Sequence, residues 1–135
     1  MSDYAGMPGF ETKQTAFDET TLVVETSKVV DAALYLRDEH GFRFLSDISA
    51  ADYLGWGEAA TAGYWGSAAG RDLNAFASSS LSRTPEPKPK RFSVSYHLLR
   101  LERGAPRVRL QVWCDDGEDV PSVIRVWPTA DWHER

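Results

Sequence analysis

Three histidines, one cysteine and a scatter of carboxylates are the residues through which this chain could do chemistry. His40, His97 and His133 lack the i, i+4 spacing that lets two imidazoles share one helix face around a metal. Cys114 has no second cysteine, which excludes an intramolecular disulfide and a thiolate cage for zinc or iron–sulfur. A Cys114–His97 nucleophile pair would require their strands to be neighbours, and Asp115 and Asp116 beside the thiol would make its thiolate scarcer. Asp47 and Asp52 invite an acid–base reading. Nothing near them in sequence supplies a nucleophile or an oxyanion donor, so turn and cap duty is expected. The acidic run from Cys114 to Asp119 lacks the spacing and closing Glu of a twelve-residue calcium loop and reads as a solvated turn. The glycines after Gly55 lack the Gly-Lys-Ser/Thr ending of a phosphate loop and match no dinucleotide fingerprint. No catalytic constellation emerges, and this chain is expected to bind no cofactor or metal of its own.

The elements that must position these residues follow from composition and periodicity. A chain of 135 residues suits one domain with a usable core, and 42% apolar content with 12% aromatics is too hydrophobic for global disorder. No apolar run approaches the length of a membrane span, and no charged-then-apolar leader is visible, so a soluble chain is expected. A net charge of -5 argues against a nucleic-acid surface, which needs clustered Lys and Arg, but not against docking to a protein.

Residues 1–19 mix Gly, Pro, Thr and charge without period and read as a flexible arm. Thr20 to Glu25 is β-rich and gives a first strand. Thr26 or Ser27 is expected to cap a helix from Lys28 to about Glu39, with Val30, Ala33, Leu34 and Arg37 as its stripe and Gly41 as its C′ residue. Phe42 to Ile48 gives a second strand, with Phe42 and Phe44 on one face and Leu45 on the other. From about 55 to 90 the sustained period disappears, and the Pro85 to Lys90 run favours extended geometry, so an inserted loop is expected, with a short helix near Arg71 to Ala77. Trp56, Tyr64 and Trp65 within it are either anchors on a partner or a lid on the domain's own sheet. Phe92, Val94, Tyr96 and Leu98 alternate with polar residues as a half-buried strand. Glu102 to Pro106 turns the chain, and Arg107 to Trp113 returns with Val108, Leu110 and Val112 inward. Its other face, with Arg107, Arg109, Gln111 and Trp113, is either solvated or a docking surface. Pro121 opens a short helix carrying Val123, Ile124 and Trp127, and Pro128 ends it. Asp131 and Glu134 form an N-cap pair for a further helix that the sequence does not complete, which suggests a truncated domain. The expected fold is α+β, a mostly antiparallel sheet of about four strands with helices on one face, in a single domain over 20–135.

The run from Pro121 to Arg135 resembles the approach to the signature of the thirty-kilodalton subunit family of complex I, the C-type subunit of the bacterial proton-pumping NADH–quinone oxidoreductase. That signature opens Glu-Arg-Glu, and Glu134 and Arg135 match its start. Phe42 to Gly55 is similar to the family's strand ending in Asp-Tyr, and Phe92 to Leu101 to its Tyr-His-Leu strand. The resemblance implies a non-catalytic structural subunit of the peripheral arm, on the cytoplasmic face of the bacterial membrane and attached to it only through the complex. It implies docking to the quinone-site subunit and to the iron–sulfur subunits, with NADH, quinone and iron–sulfur clusters held elsewhere in the complex. Trp127, Trp132, Glu134 and Arg135 are the expected interface residues. Relatives also occur in deazaflavin-linked dehydrogenases and membrane-bound hydrogenases. The competing expectation is a stand-alone enzyme or ligand-binding domain, with the 55–90 loop as a lid over Asp47 and Asp52.

Overall fold

The computed structural model describes residues 4–54 and 87–135. The chain divides into two compact units, residues 1–52 with 90–135, and residues 53–89. In the second unit the Lys88 ammonium lies 5.2 Å from the centre of the Tyr53 ring. Most of the expected 55–90 loop, including Trp56, Tyr64, Trp65 and the short helix near Arg71, lies outside the described residues.

The first unit is built on a five-stranded sheet. In chain order its elements are β1 (Phe10–Ala16), β2 (Glu19–Val24), α1 (Val29–His40), β3 (Phe44–Asp52), β4 (Phe92–Leu99), β5 (Arg107–Cys114) and α2 (Ala130–His133). The strands lie in the order β1-β2-β5-β4-β3. Three neighbouring pairs are antiparallel, while β2 and β5 run parallel in the register Leu22–Leu110 and Val24–Val112. The α+β class is as expected, but the sheet is mixed and has a fifth strand. Local alternation identifies strands without saying which neighbour each will take, and the parallel pair depends on a long crossover.

The extra strand comes from the stretch read as a flexible arm. Phe10–Ala16 pairs antiparallel with β2, and Tyr4 and Met7 are buried in the core. The hairpin turn is Phe17-Asp18, both at positive φ (52° and 61°), the geometry of a two-residue type I′ connection. That turn usually announces itself as Asn-Gly or Asp-Gly, so its sequence signal was missing.

One sheet face carries Leu22, Val24, Tyr96, Leu98, Val108, Leu110 and Val112 into a single cluster with Val29, Ala32, Ala33 and Leu36 of α1. Removing one such leucine or valine from water contributes about 1.5–3 kcal/mol before conformational entropy is set against it. The helix stripe is rotated from the expected one: Val29, Ala32, Ala33 and Leu36 are buried, and Val30 and Leu34 only partly so. Arg37 instead pairs with Asp38 at 2.8 Å, which holds that carboxyl below its usual range, and donates to the Val126 carbonyl. Neither expected cap acts as one. Thr26 Oγ1 donates to the Trp113 carbonyl, and Ser27 Oγ donates to the Glu25 carboxylate. Gly41 does end the helix, at φ 74°, and the Phe42 amide closes the turn on the Leu36 carbonyl.

Phe42 is fully buried but precedes β3 instead of starting it. A bulge at Ser46, between Leu45 and Asp47, shifts the register. Leu45 is buried and Phe44 exposed, so Phe42 and Phe44 do not share one buried face as expected.

Candidate partner interface

The last fifteen residues close on the domain through three anchors. Val126 and Trp127 both donate their amides to the Val123 carbonyl at 2.9 Å, which makes a turn where a helix was expected. Between Pro121 and Pro128 there is room for scarcely two helical turns, and each proline withholds an amide. Trp127 is buried, and its indole Nε1 donates to the Phe42 carbonyl at 2.9 Å. The second anchor is Glu134. One carboxylate oxygen accepts from Ser122 Oγ at 2.8 Å and the other from the Val123 amide at 2.9 Å. The third is His133, whose Nδ1 lies 3.2 Å from Asp47 on β3.

These anchors hold α2 with one face inward and one outward. Ala130 is buried, whereas Trp132 is 82% exposed. Ile124 on the neighbouring turn is also exposed, and Arg135 pairs with Asp131 one helical turn away at 3.3 Å. Of the four residues expected at an interface, Trp132, Glu134 and Arg135 are therefore exposed. Glu134 is a staple for the Ser122 turn, and Trp127 belongs to the chain's own core. Asp131 does not cap the last helix, which starts one residue earlier after Thr129.

The sheet face opposite the core presents a polar constellation that sequence reasoning did not assemble. Glu19 on β2 pairs with Arg109 on β5 at 3.0 Å, and its other oxygen lies 3.9 Å from His97 Nδ1 on β4. His97 Nε2 is 3.2 Å from Ser49 Oγ on β3. Cross-strand register brings these together, with Glu19 opposite Arg107 and His97 opposite both Arg109 and Asp47. The available signal was the run of polar residues at alternate positions of each strand. Ser49, His97 and Glu19 follow the order of a hydrolase triad. However, 3.9 Å is outside hydrogen-bonding distance, and Arg109 already holds the carboxylate. The imidazole therefore lacks the orienting bond that a general base needs. The depression beside it, lined by Glu19, Asp47, His97 and Arg107 among others, has a volume of about 230 Å³ and opens widely to solvent.

Asp52 and Asp47, the suspected acid–base pair, each face a basic side chain. Arg91 grips Asp52 through two hydrogen bonds of 2.9 Å, while Asp47 faces His133 and accepts from the Ile48 amide. Cys114 is buried, and burial first, then the Glu118 carboxylate, pushes its thiol pKa up. Among the described residues no group of three or more His, Cys, Asp or Glu side chains is arranged to hold a metal ion. No helix among them is long and apolar enough to cross a membrane.

Comparison with known proteins agrees with the resemblance carried by the C-terminal run. The chain is 38% identical over 122 residues to the C-type subunit of the NADH-quinone oxidoreductase of Methylobacterium sp. (strain 4-46), covering 89% of this chain and 41% of that protein. It is 32% identical over 130 residues to the corresponding NADH-quinone oxidoreductase subunit of Phenylobacterium zucineum (strain HLK1), covering 96% of this chain and 46% of the relative. It thus spans somewhat under half the length of these two curated relatives. The fold is shared with a solved trypsin-resistant fragment of Nqo5, at a TM-score of 0.65 and 21% identity, over 94% of this chain and 78% of that one. The sequence profile described as "Respiratory-chain NADH dehydrogenase, 30 Kd subunit" matches residues 22–135, and the chain belongs to that family.

Proposed function

We propose that this chain is a non-catalytic assembly subunit of the peripheral arm of a proton-pumping NADH–quinone oxidoreductase, on the cytoplasmic face of a bacterial membrane. It docks the quinone-site subunit and the iron–sulfur subunits, and leaves NADH, quinone and cluster chemistry to them. The observation that carries this reading is Trp132, an indole left 82% exposed on a segment otherwise fixed by Trp127, Glu134 and His133. A rigid, exposed tryptophan forfeits its own burial unless a partner covers it, and such residues dominate the energetics of protein interfaces. Its flanks, Asp131 and Arg135, are already paired with one another and so present a low net charge around the ring.

Trp132→Ala is the direct test. In cells of the source organism the variant should be recovered with the quinone-site subunit at least tenfold less efficiently, with the isolated chain's melting temperature changed by less than about 2 °C. Undiminished recovery would remove Trp132 from the interface. If the unaltered chain failed to co-purify with that subunit, the assembly role itself would fall.

A further inference from the structure

Residues 4–16 are held to the rest of the first unit by three kinds of contact. Tyr4 and Met7 are buried in the core, and the Tyr4 ring lies 4.7 Å from that of His40 on α1. Gly9 holds φ 71°, and its carbonyl accepts from the Glu25 amide at 2.9 Å. A Cβ at this position would collide with Lys28 Cβ, so only glycine fits. β1 then pairs with β2 and with no other strand. The strand itself adds little burial, since every residue from Glu11 to Ala16 is exposed. Release of 4–16 therefore leaves β2, β5, β4 and β3 paired in order, and opens both the outer edge of β2 and a socket for Tyr4 and Met7.

The hinge opposes closure. Phe17 holds φ 52° beside Asp18 at φ 61°. A bulky side chain is rare in the left-handed region, and this turn type favours Asn-Gly. Phe17 is fully exposed, so no packing compensates for its conformation. A short hinge under strain is the condition under which an element exchanges between copies of one chain. In the open form both hinge residues return to extended backbone, while every contact of the arm is remade on the second copy. Fit settles the occupant of the vacated socket. It needs Tyr4 and Met7 for the core, a left-handed glycine against Lys28, and the register of Phe10–Ala16 on β2 with its irregularity between Phe10 and Thr12. A second copy of residues 4–16 meets all of these.

We infer that residues 4–16 are an exchangeable arm with Phe17-Asp18 as its strained hinge, and that its partner is a second copy of this chain. Two chains trade arms and form a closed dimer in which both hinges relax. The exchange uses none of the residues of the C-terminal turn, and it stands apart from the assembly reading.

Thr15 and Thr20 face each other one step from the Ala16–Glu19 pair that closes the hairpin. They form the close, non-hydrogen-bonded kind of pair that a disulfide can span. The experiment combines Thr15→Cys with Thr20→Cys in the full chain and passes the reduced protein through mild denaturant at high concentration. After return to buffer, size-exclusion chromatography separates dimer from monomer, and both fractions are oxidised. On a denaturing gel without reductant, the monomer fraction should run as a single chain and the dimer fraction as a covalent pair. Cys114 is buried and stays a bystander. A dimer whose disulfides all close within one chain, or no dimer at all, would overturn the exchange. The second variant joins Phe17→Asn to Asp18→Gly in the otherwise unaltered chain. With the turn relaxed, the dimer fraction should fall about tenfold or more. An undiminished dimer fraction would remove the strained hinge as the cause and sink the proposal.

Discussion

One indole nitrogen ties the end of the chain to its middle. Trp127 Nε1 is the donor for the Phe42 carbonyl, in a region where neither group can reach water. Trp127→Phe would keep most of the ring's packing and orphan that carbonyl, at a cost of about 1–3 kcal/mol. Equilibrium urea denaturation checks this, with Trp132→Phe as the surface control expected within about 0.5 kcal/mol of the parent. Equal effects at the two positions would contradict the division into an inner and an outer tryptophan. Sequence alone located the segment but could not make that division. Both residues sit beside helix-like signals, and which one faces inward depends on a turn whose bonds come from Val123 and Glu134.

The elements that were legible are those whose physical demand has a residue type. Gly41 announced the end of α1 because only glycine takes a left-handed φ there without cost. A Cβ at that position would meet Arg100 Cδ at 3.6 Å, an ordinary contact, so Gly41→Ala should lose only the backbone preference, about 1 kcal/mol. Chemical denaturation should resolve this, and a loss several times larger would mean that the side chain collides after all. Strands β4 and β5 were legible through alternation: Val108, Leu110 and Val112 are buried, as are Tyr96 and Leu98, whereas Phe92 and Val94 are only partly buried and Ser93 is buried. β1 was illegible because its turn uses Phe17-Asp18, and its own residues, nearly all exposed, carry no apolar period. The cluster of Glu19, Arg109, His97 and Ser49 was illegible for another reason. Its members come from four strands, and only the combined β2–β5, β4–β5 and β3–β4 registers make them neighbours.

At the scale of the whole molecule, stability is linked to alkaline pH through the core. Burial first, then the charge of Glu134 and of Cys114, raises the Tyr96 phenol well above its ordinary pKa of about 10. Above that pH the unfolded chain releases a proton that the native chain keeps, so native stability is complete below pH 10 and declines as pH rises beyond it. Cys114 acts in the same direction. Tyr96→Phe should therefore give a shallower fall in melting temperature between pH 9 and about pH 11. Superimposable curves for the two proteins would show that the loss originates elsewhere.

The parallel pairing of β2 with β5 also has a consequence for synthesis. The ribosome delivers Glu19 about ninety residues before its sheet neighbour Arg107. At common elongation rates that delay is on the order of ten seconds. During it the β1–β2 hairpin offers the naked edge of Leu22, Val23 and Val24 to any extended segment nearby, native or foreign. The sheet cannot close at its centre until its last strand, β5, has emerged. For this chain the hazardous interval lies in translation, and a nascent-chain chaperone that shields the hairpin would act well before any partner subunit can.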